Sequence, residues 1–187
     1  EGKPTGYVMS VDATSSGIQI MAVLSGDKQT AKLVNCIDPN QRHDLYTDVA
    51  TMMSLQLKRP VPRSIVKQCT MTHYYNSKAT PRGLLSEEEL EVFYQVIEGL
   101  LPGAEEVMAT INGCWNNNAD AHSWVMPDGH RVYVPVVEGI NGIYSDEEFG
   151  DIPLRWYRQT KSNNYRSLCP NVIHSIDGYV AREMIRR

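Results

Sequence analysis

The sequence has no apolar run that approaches the length of a membrane span and no signal-peptide pattern, so we expect no membrane partner. Its four cysteines are single and widely separated, which excludes a Cys-x-x-Cys zinc site. No two of its five histidines have the spacing of a zinc-binding helix. The isolated cysteines predict reduced thiols and therefore a cytoplasmic chain.

One region lacks acidic residues altogether, although the formal net charge of the chain is −4. Residues 58–82 hold six Lys or Arg and no Asp or Glu. A helix that begins after Pro62 would place Arg63 and Lys67 one turn apart on the same face. A bound anion such as a triphosphate would relieve their repulsion, and the simplest alternative is a solvated basic face.

Apolar periodicity, caps and turn residues predict a mixed, helix-rich fold of the α/β (α+β) type with short antiparallel strands. At 187 residues, of which 42% are hydrophobic, the chain can form a real core. It begins at Glu1 without a methionine, which predicts a fragment or a processed piece. The predicted strands are 7–11, 154–157 and a hairpin around the turn at 127–129. Helices are predicted at 18–24, 63–75, 86–101 and 104–115. Two further helices are predicted, one from a cap at Asp38-Pro39 to Pro60 and one after Pro170-Asn171.

Three segments contain the residues with the clearest chemical roles. Asp12-Ala-Thr-Ser-Ser-Gly-Ile-Gln19 ends the first predicted strand, where an Asp is a common metal ligand, although a turn or cap role is the simpler explanation for it alone. Arg63-x3-Lys67-x3-Met71-Thr-x2-Tyr75 forms the basic helix, and Pro170-Asn-Val-Ile-His174-Ser-Ile-Asp177 opens the last one. In this order, the three segments resemble motifs of the single-subunit RNA polymerases of phages and mitochondria. The connecting residues 33–35, 44–46 and 49–50 are similar to that family as well.

The resemblance implies the right-hand polymerase fold and DNA-directed RNA synthesis from NTPs by a two-metal mechanism. It places part of the palm with the first catalytic motif in residues 1–57 and the fingers in 58–123. Residues 124–187 would return to the palm with a hairpin and a final helix. The expected partners are a DNA template, nascent RNA, NTPs, and the rest of the polymerase or a second subunit. The compartment would be the cytoplasm, that of a host if the source is viral, with the mitochondrion as the alternative.

The resemblance also implies a metal site. The carboxylate of Asp12 would hold two Mg²⁺ ions, and the carbonyl of Ala13 would be a further ligand. The third motif of the family, His-Asp-Ser, does not occur before Arg187, and Asp177 belongs to the preceding motif. We therefore predict that the sequence holds only part of the active site.

The remaining site residues are assigned to the substrate. Arg63 and Lys67 would clamp the β- and γ-phosphates, so that Lys67 acts in catalysis together with Asp12 and Tyr75. Tyr75 would stack near the nascent base pair and sense the ribose 2′-hydroxyl. His174 would lie on the minor-groove side of the same nucleotide, or would be an ordinary buried histidine. The family has Gly after the tyrosine, and Asn76 stands there in this sequence; Asn also tolerates a left-handed backbone.

A second basic cluster consists of four cations beside three aromatic residues: Arg155, Arg158, Lys161, Arg166, Trp156, Tyr157 and Tyr165. It could contact phosphates and stack on bases. Two other functions remain open. One is a family A DNA polymerase, whose Asp-Tyr-Ser-Gln-Ile-Glu pattern the sequence lacks. The other is a non-catalytic, nucleic-acid-binding subunit of a split polymerase.

Overall fold

The computed structural model describes residues 15–159, 161 and 164–186, which form a helix-rich α+β fold. The α-helices are α1 (Ser16–Ser25), α2 (Lys28–Leu33), α3 (Leu45–Leu57), α4 (Arg63–Tyr74), α5 (Ala79–Leu84), α6 (Glu87–Leu100), α7 (Pro102–Gly113) and α8 (Leu168–Arg186). The strands are β1 (Ala121–Val125), β2 (Arg131–Pro135), β3 (Val137–Asp146) and β4 (Gly150–Gln159). β1 pairs antiparallel with β2 and β3 with β4, so each sheet is a single hairpin. The predicted fold class is confirmed at this level.

Local sequence signals account for most of these elements. A capping box opens α6 at the predicted position: the Ser86 hydroxyl accepts a bond from the Glu89 amide, and the Glu89 carboxylate accepts one from the Ser86 amide. Pro102 occupies the first turn of α7, where its missing N–H costs nothing. The hairpin β1–β2 turns at Asp128 and Gly129, as predicted. The predicted strand at 7–11 lies outside the described residues.

The predicted start of α3 is wrong. The helix begins at Leu45 with Asp44 as its N-cap, and not at Asp38-Pro39. Asp38 has a φ of +63°, and its carboxylate accepts a bond from the amide of Asn40 at 3.3 Å, which makes a local turn. An Asp before a proline therefore marks a turn in this chain and not a helix start.

Helices α2 and α5 and strand β3 were not predicted. The helices α2 and α5 have six residues each, which is too short for a clear apolar period. Strand β3 was missed as well, and the acidic residues 146–151 form the end of β3, the start of β4 and the turn between them.

The hydrophobic core is formed mainly by α1, α3, α4, α6 and α7. Its largest fully buried side chains include Phe93, Met21, Met53 and Ile97. Each such side chain contributes about 1.5–3 kcal/mol relative to an exposed position. Ile173 of α8 is also fully buried in this cluster, so the last helix is packed onto the same core as the basic helix α4.

The hairpin β1–β2 contacts α8 through two side-chain pairs. The Trp124 indole donates a hydrogen bond to the Ser175 hydroxyl at 3.1 Å. The Asp128 carboxylate, in the hairpin turn, forms an ion pair with Arg182. These contacts fix the rotation of α8 around its axis and therefore the direction of its side chains.

None of the helices in the described ranges combines the length and the apolar character that a bilayer span needs. The division of the chain at residues 57 and 123 stays a prediction.

Candidate functional site

The basic face of α4 is exposed and organised around one tyrosine ring. Pro62 precedes the helix with a φ of −66° and leaves Arg63 and Lys67 in its first two turns. The Arg63 guanidinium carbon lies 5.5 Å from the centroid of the Tyr46 ring, and the Lys67 Nζ lies 5.8 Å from it. Both distances are typical of cation–π contacts. The two cations therefore share one face of α4, as predicted from their spacing.

A cavity of about 530 Å³ lies at this face. Its walls include Arg63, Lys67, Arg42 and Asp44, so three of its side chains are cationic and one is anionic. Ser15, the first described residue after the motif positions Asp12 and Ala13, also lines it. Asp12 and Ala13 themselves lie outside the described residues. The cavity is thus large and positive enough for an anionic ligand such as a polyphosphate.

Arg63 is held in this cavity by Asp44. The guanidinium donates from Nε to Oδ2 at 2.8 Å and from Nη2 to Oδ1 at 2.9 Å. The Thr47 hydroxyl donates to the same carboxylate at 2.9 Å. Chiefly because of the bond from Arg63, the pKa of Asp44 falls to about 2. The carboxylate therefore stays ionised throughout the physiological range.

Tyr75 and His174 form a stacked pair, although they lie in separate motifs far apart in the chain. Their ring centroids are 5.1 Å apart and their planes are inclined by 12°. A β-carbon placed on Gly17 would lie 3.7 Å from the Tyr75 hydroxyl, so this glycine of the first motif faces the phenol. The Ser16 hydroxyl, next to it, lies 3.5 Å from the Asp177 carboxylate. Residues from all three motifs thus meet at one point.

The Tyr75 phenol is neutral at this point. Its pKa is raised, first by burial and then by the charge of Asp177. His174 is exposed, so the alternative of a buried core histidine is wrong for it. A neutral phenol can donate a hydrogen bond to a hydroxyl and also accept one from it.

Asn76 follows Tyr75 with a φ of +63°, so the left-handed turn is kept without a glycine. Its amide exchanges two hydrogen bonds with the Asn112 amide, at 2.6 and 3.2 Å, and donates a third to the Arg166 carbonyl at 3.3 Å. Asn76 is buried, and it links the end of α4 to α7 and to the residues before α8.

Comparison with known proteins identifies the family. The family described as DNA-dependent RNA polymerase matches residues 4–126, which is more than half of the chain. The chain belongs to the single-subunit, phage-type DNA-dependent RNA polymerase family. No curated protein sequence matches the chain. The matched range contains the first two motifs and ends before His174. The relation of residues 170–177 to the family therefore depends on the sequence resemblance of that segment and on the contact between His174 and Tyr75.

Metal ligands are expected in a polymerase of this family. No cluster of three or more His, Cys, Asp or Glu side chains suited to a metal occurs in residues 15–159, 161 and 164–186. Asp44, the carboxylate in the cavity wall, is paired with Arg63. The metal site predicted from Asp12 and Ala13 therefore stays a prediction.

The cavity residues that were not predicted as part of the site include Arg42, Asp44 and Tyr46. The similarity of residues 44–46 to the polymerase family was visible in the sequence, but it did not assign a function to any of these residues. A partner for Arg63 could have been sought at the N-cap of the preceding helix, where a carboxylate is common. For Arg42, on an irregular segment, no sequence signal exists.

Proposed function

We propose that this chain is the palm and fingers portion of a DNA-directed RNA polymerase and adds nucleotides from NTPs to a growing RNA. The observation that carries the proposal is the cavity in which Arg63 and Lys67 meet beside Ser15, close in sequence to Asp12. Family membership makes an NTP the most suitable anion for this cavity.

Arg63 and Lys67 act on the β- and γ-phosphates. Pyrophosphate gains negative charge as it leaves, so fixed cations stabilise the transition state more than the bound substrate. Arg42, also in the cavity wall, adds positive charge that attracts the NTP to the cavity. The ring of Tyr46 keeps both α4 cations aligned by cation–π contacts.

Tyr75 and His174 act on the sugar and base. Their stacked rings present an aromatic surface of the kind on which a base pair can rest. The neutral phenol of Tyr75 can hydrogen-bond the 2′-hydroxyl that distinguishes a ribonucleotide from a deoxyribonucleotide. Tyr75 thus selects ribonucleotides over deoxyribonucleotides, and the His174 ring holds the Tyr75 ring in position.

Two Mg²⁺ ions belong to the proposal, with Asp12 and Ala13 as their ligands. Such ions would polarise the α-phosphate and neutralise the leaving pyrophosphate. The carboxylate of Asp44 does not suit them, because both of its oxygens are bonded to Arg63. Further carboxylates are needed, and the third motif of the family would supply one.

The nucleic-acid partners are the template and the nascent RNA, and the second basic cluster is the proposed contact. Arg155, Trp156, Tyr157 and Arg158 lie on β4 with exposed side chains. The guanidinium of Arg155 lies 5.4 Å from the centroid of the Tyr157 ring. Cations beside aromatic rings suit a sugar–phosphate backbone with bases that stack.

Primer extension by the native polypeptide that contains this sequence tests the proposal. The wild type should extend an RNA primer on a DNA template in the presence of NTPs and Mg²⁺. Asp12→Asn should abolish extension and leave template affinity within about twofold, because it removes a metal ligand and leaves the template-binding surface intact. Extension by Asp12→Asn at the wild-type rate would contradict the proposal, as would failure of the wild type to extend the primer.

A further inference from the structure

We propose that Asp44 is the resident counter-ion of the phosphate cavity, which holds Arg63 between nucleotides and is displaced from it by the incoming triphosphate. The inference rests on the proposed function, because it assumes that Arg63 and Lys67 meet the triphosphate. It adds an anion-exchange step at the same site and gives Asp44 a part in selecting the ligand.

The pair between Arg63 and Asp44 has a geometry that a phosphate can replace. Asp44 accepts from Nε and Nη2 of Arg63 at 2.8 and 2.9 Å, and this edge is a fork that a phosphate can also bind. Asp44 lines the same cavity as Lys67. A triphosphate that enters the cavity therefore competes with this carboxylate for Arg63 and is repelled by it.

Neither Arg63 nor Asp44 would be left buried and unpaired after the exchange. The side chains of Arg63 and Asp44 are 48% and 46% exposed, so water can solvate the released carboxylate. The Thr47 hydroxyl already donates to Asp44 at 2.9 Å and can continue to do so. Arg63 would keep its contact with the Tyr46 ring.

The two competing anions differ in charge and in the number of cations that they meet. Ion pairs exposed to this degree change a binding constant by a factor of only about 1.5 to 5. A triphosphate carries several negative charges and also meets Lys67, which has no carboxylate within ion-pair distance in the described part of the chain. It can displace Asp44, whereas a weakly charged anion cannot do so as readily. Asp44 thus favours polyphosphates over smaller anions.

The test is calorimetric titration of the native polypeptide that contains this sequence with sodium tripolyphosphate. Asp44→Asn removes the charge and keeps a side-chain oxygen for Thr47. Its dissociation constant for tripolyphosphate should fall about twofold to fivefold relative to the wild type. Glu91→Gln, which removes one exposed carboxylate from α6, is the charge-matched control and should leave the constant unchanged.

Two further variants, Arg63→Ala and Lys67→Ala, show whether the role of Asp44 or the triphosphate site itself is wrong. If both weaken tripolyphosphate binding while Asp44→Asn binds it as the wild type does, or more weakly, Asp44 only positions Arg63 and the inference is overturned. If neither weakens binding, the triphosphate site itself is wrong. Should Asp44→Asn not fold, Asp44→Ser keeps a hydroxyl at the helix cap and serves the same comparison.

Discussion

At the scale of single residues, Tyr75 is fixed on two sides by groups far away in the sequence. Its ring stacks on His174, and its hydroxyl lies beside Gly17. Neither contact needs the phenolic proton, which is therefore available to a ligand. The two functions proposed for this side chain, base-pair stacking and recognition of the sugar, can thus be separated by removing the hydroxyl alone.

Tyr75→Phe should lower the preference for ribonucleotides over deoxyribonucleotides and leave the rate with ribonucleotides within a few-fold. The ring and its stack on His174 are kept, while the hydrogen bond to the 2′-hydroxyl is removed. One such bond corresponds to roughly 0.5–1.5 kcal/mol, or about two- to tenfold in selectivity. The measurement is the ratio of kcat/KM for a matched NTP and dNTP. Tyr133→Phe, an exposed tyrosine of β2, is the control, and equal selectivity of Tyr75→Phe and wild type would remove this role from Tyr75.

At the scale of elements, the ion pair between the hairpin turn and α8 should make stability depend on acid. The bond from Arg182 lowers the pKa of Asp128 from 3.8 to about 2. Because the pKa is lower in the folded state, the contribution of this pair is complete above about pH 4 and is lost as the pH falls towards 2. Asp44, whose pKa is also about 2, adds a similar loss in the same range.

We therefore expect Asp128→Asn to be less stable than the wild type at neutral pH and to lose less stability between about pH 4 and 2. The measurement is the urea midpoint of unfolding at a series of pH values. The control is Glu91→Gln. The Glu91 carboxyl makes no ion pair among the described residues, so the urea midpoint of this variant should depend on pH as that of the wild type does. A parallel pH dependence in Asp128→Asn and wild type would show that the pair does not brace α8.

Local elements could be predicted from the sequence where one segment contains the whole signal. The capping box of α6 and the proline before α4 are such cases. Strand β3 is the opposite case, because its glycines weaken the strand pattern. At Gly142 a β-carbon would lie 2.7 Å from the Trp156 ring of the paired strand, so a larger residue would require this ring to move. That proximity is visible only once the register of the hairpin is known.

The candidate site was predictable only in part. The shared helix face of Arg63 and Lys67 follows from their spacing, and the resemblance to the polymerase family implies a triphosphate as their ligand. The pair between Asp44 and Arg63 joins the beginnings of two helices, which only packing brings together. The stack of Tyr75 on His174 depends in addition on the core that holds α8. Contacts of this kind are set by tertiary structure, and no pattern within either segment contains them.

At the scale of the whole molecule, the hairpin β3–β4 presents cations and aromatic rings to solvent. Each strand pairs only with the other in the described sheets, and Trp156 and Tyr157 expose 48% and 62% of their surfaces. Exposed cations that meet phosphates release bound counter-ions, so their contribution depends on salt. The hairpin can therefore be tested without affecting the cavity at α4.

The double substitution Arg155→Ala and Arg158→Ala should weaken binding to a short DNA duplex and make it less sensitive to salt. The slope of log K against log salt should become shallower by about 0.9 for each phosphate that the variant no longer neutralises. Fluorescence anisotropy over a salt series measures this slope. The control is Arg131→Ala with Lys28→Ala, which removes two exposed cations from other elements. A slope unchanged by the hairpin variant, or changed equally by the control, would contradict the assignment.

The proposed function requires the triphosphate of an NTP to bind between α4 and the segment that precedes α3. The most direct measurement is photocrosslinking with ATP that carries an aryl azide on its γ-phosphate, followed by mass spectrometry of the labelled peptides. We predict labels within residues 42–46 or 63–67, which excess ATP prevents and which Lys67→Ala strongly reduces. Labels confined to other parts of the chain, or labels that persist undiminished in Lys67→Ala, would contradict the claim.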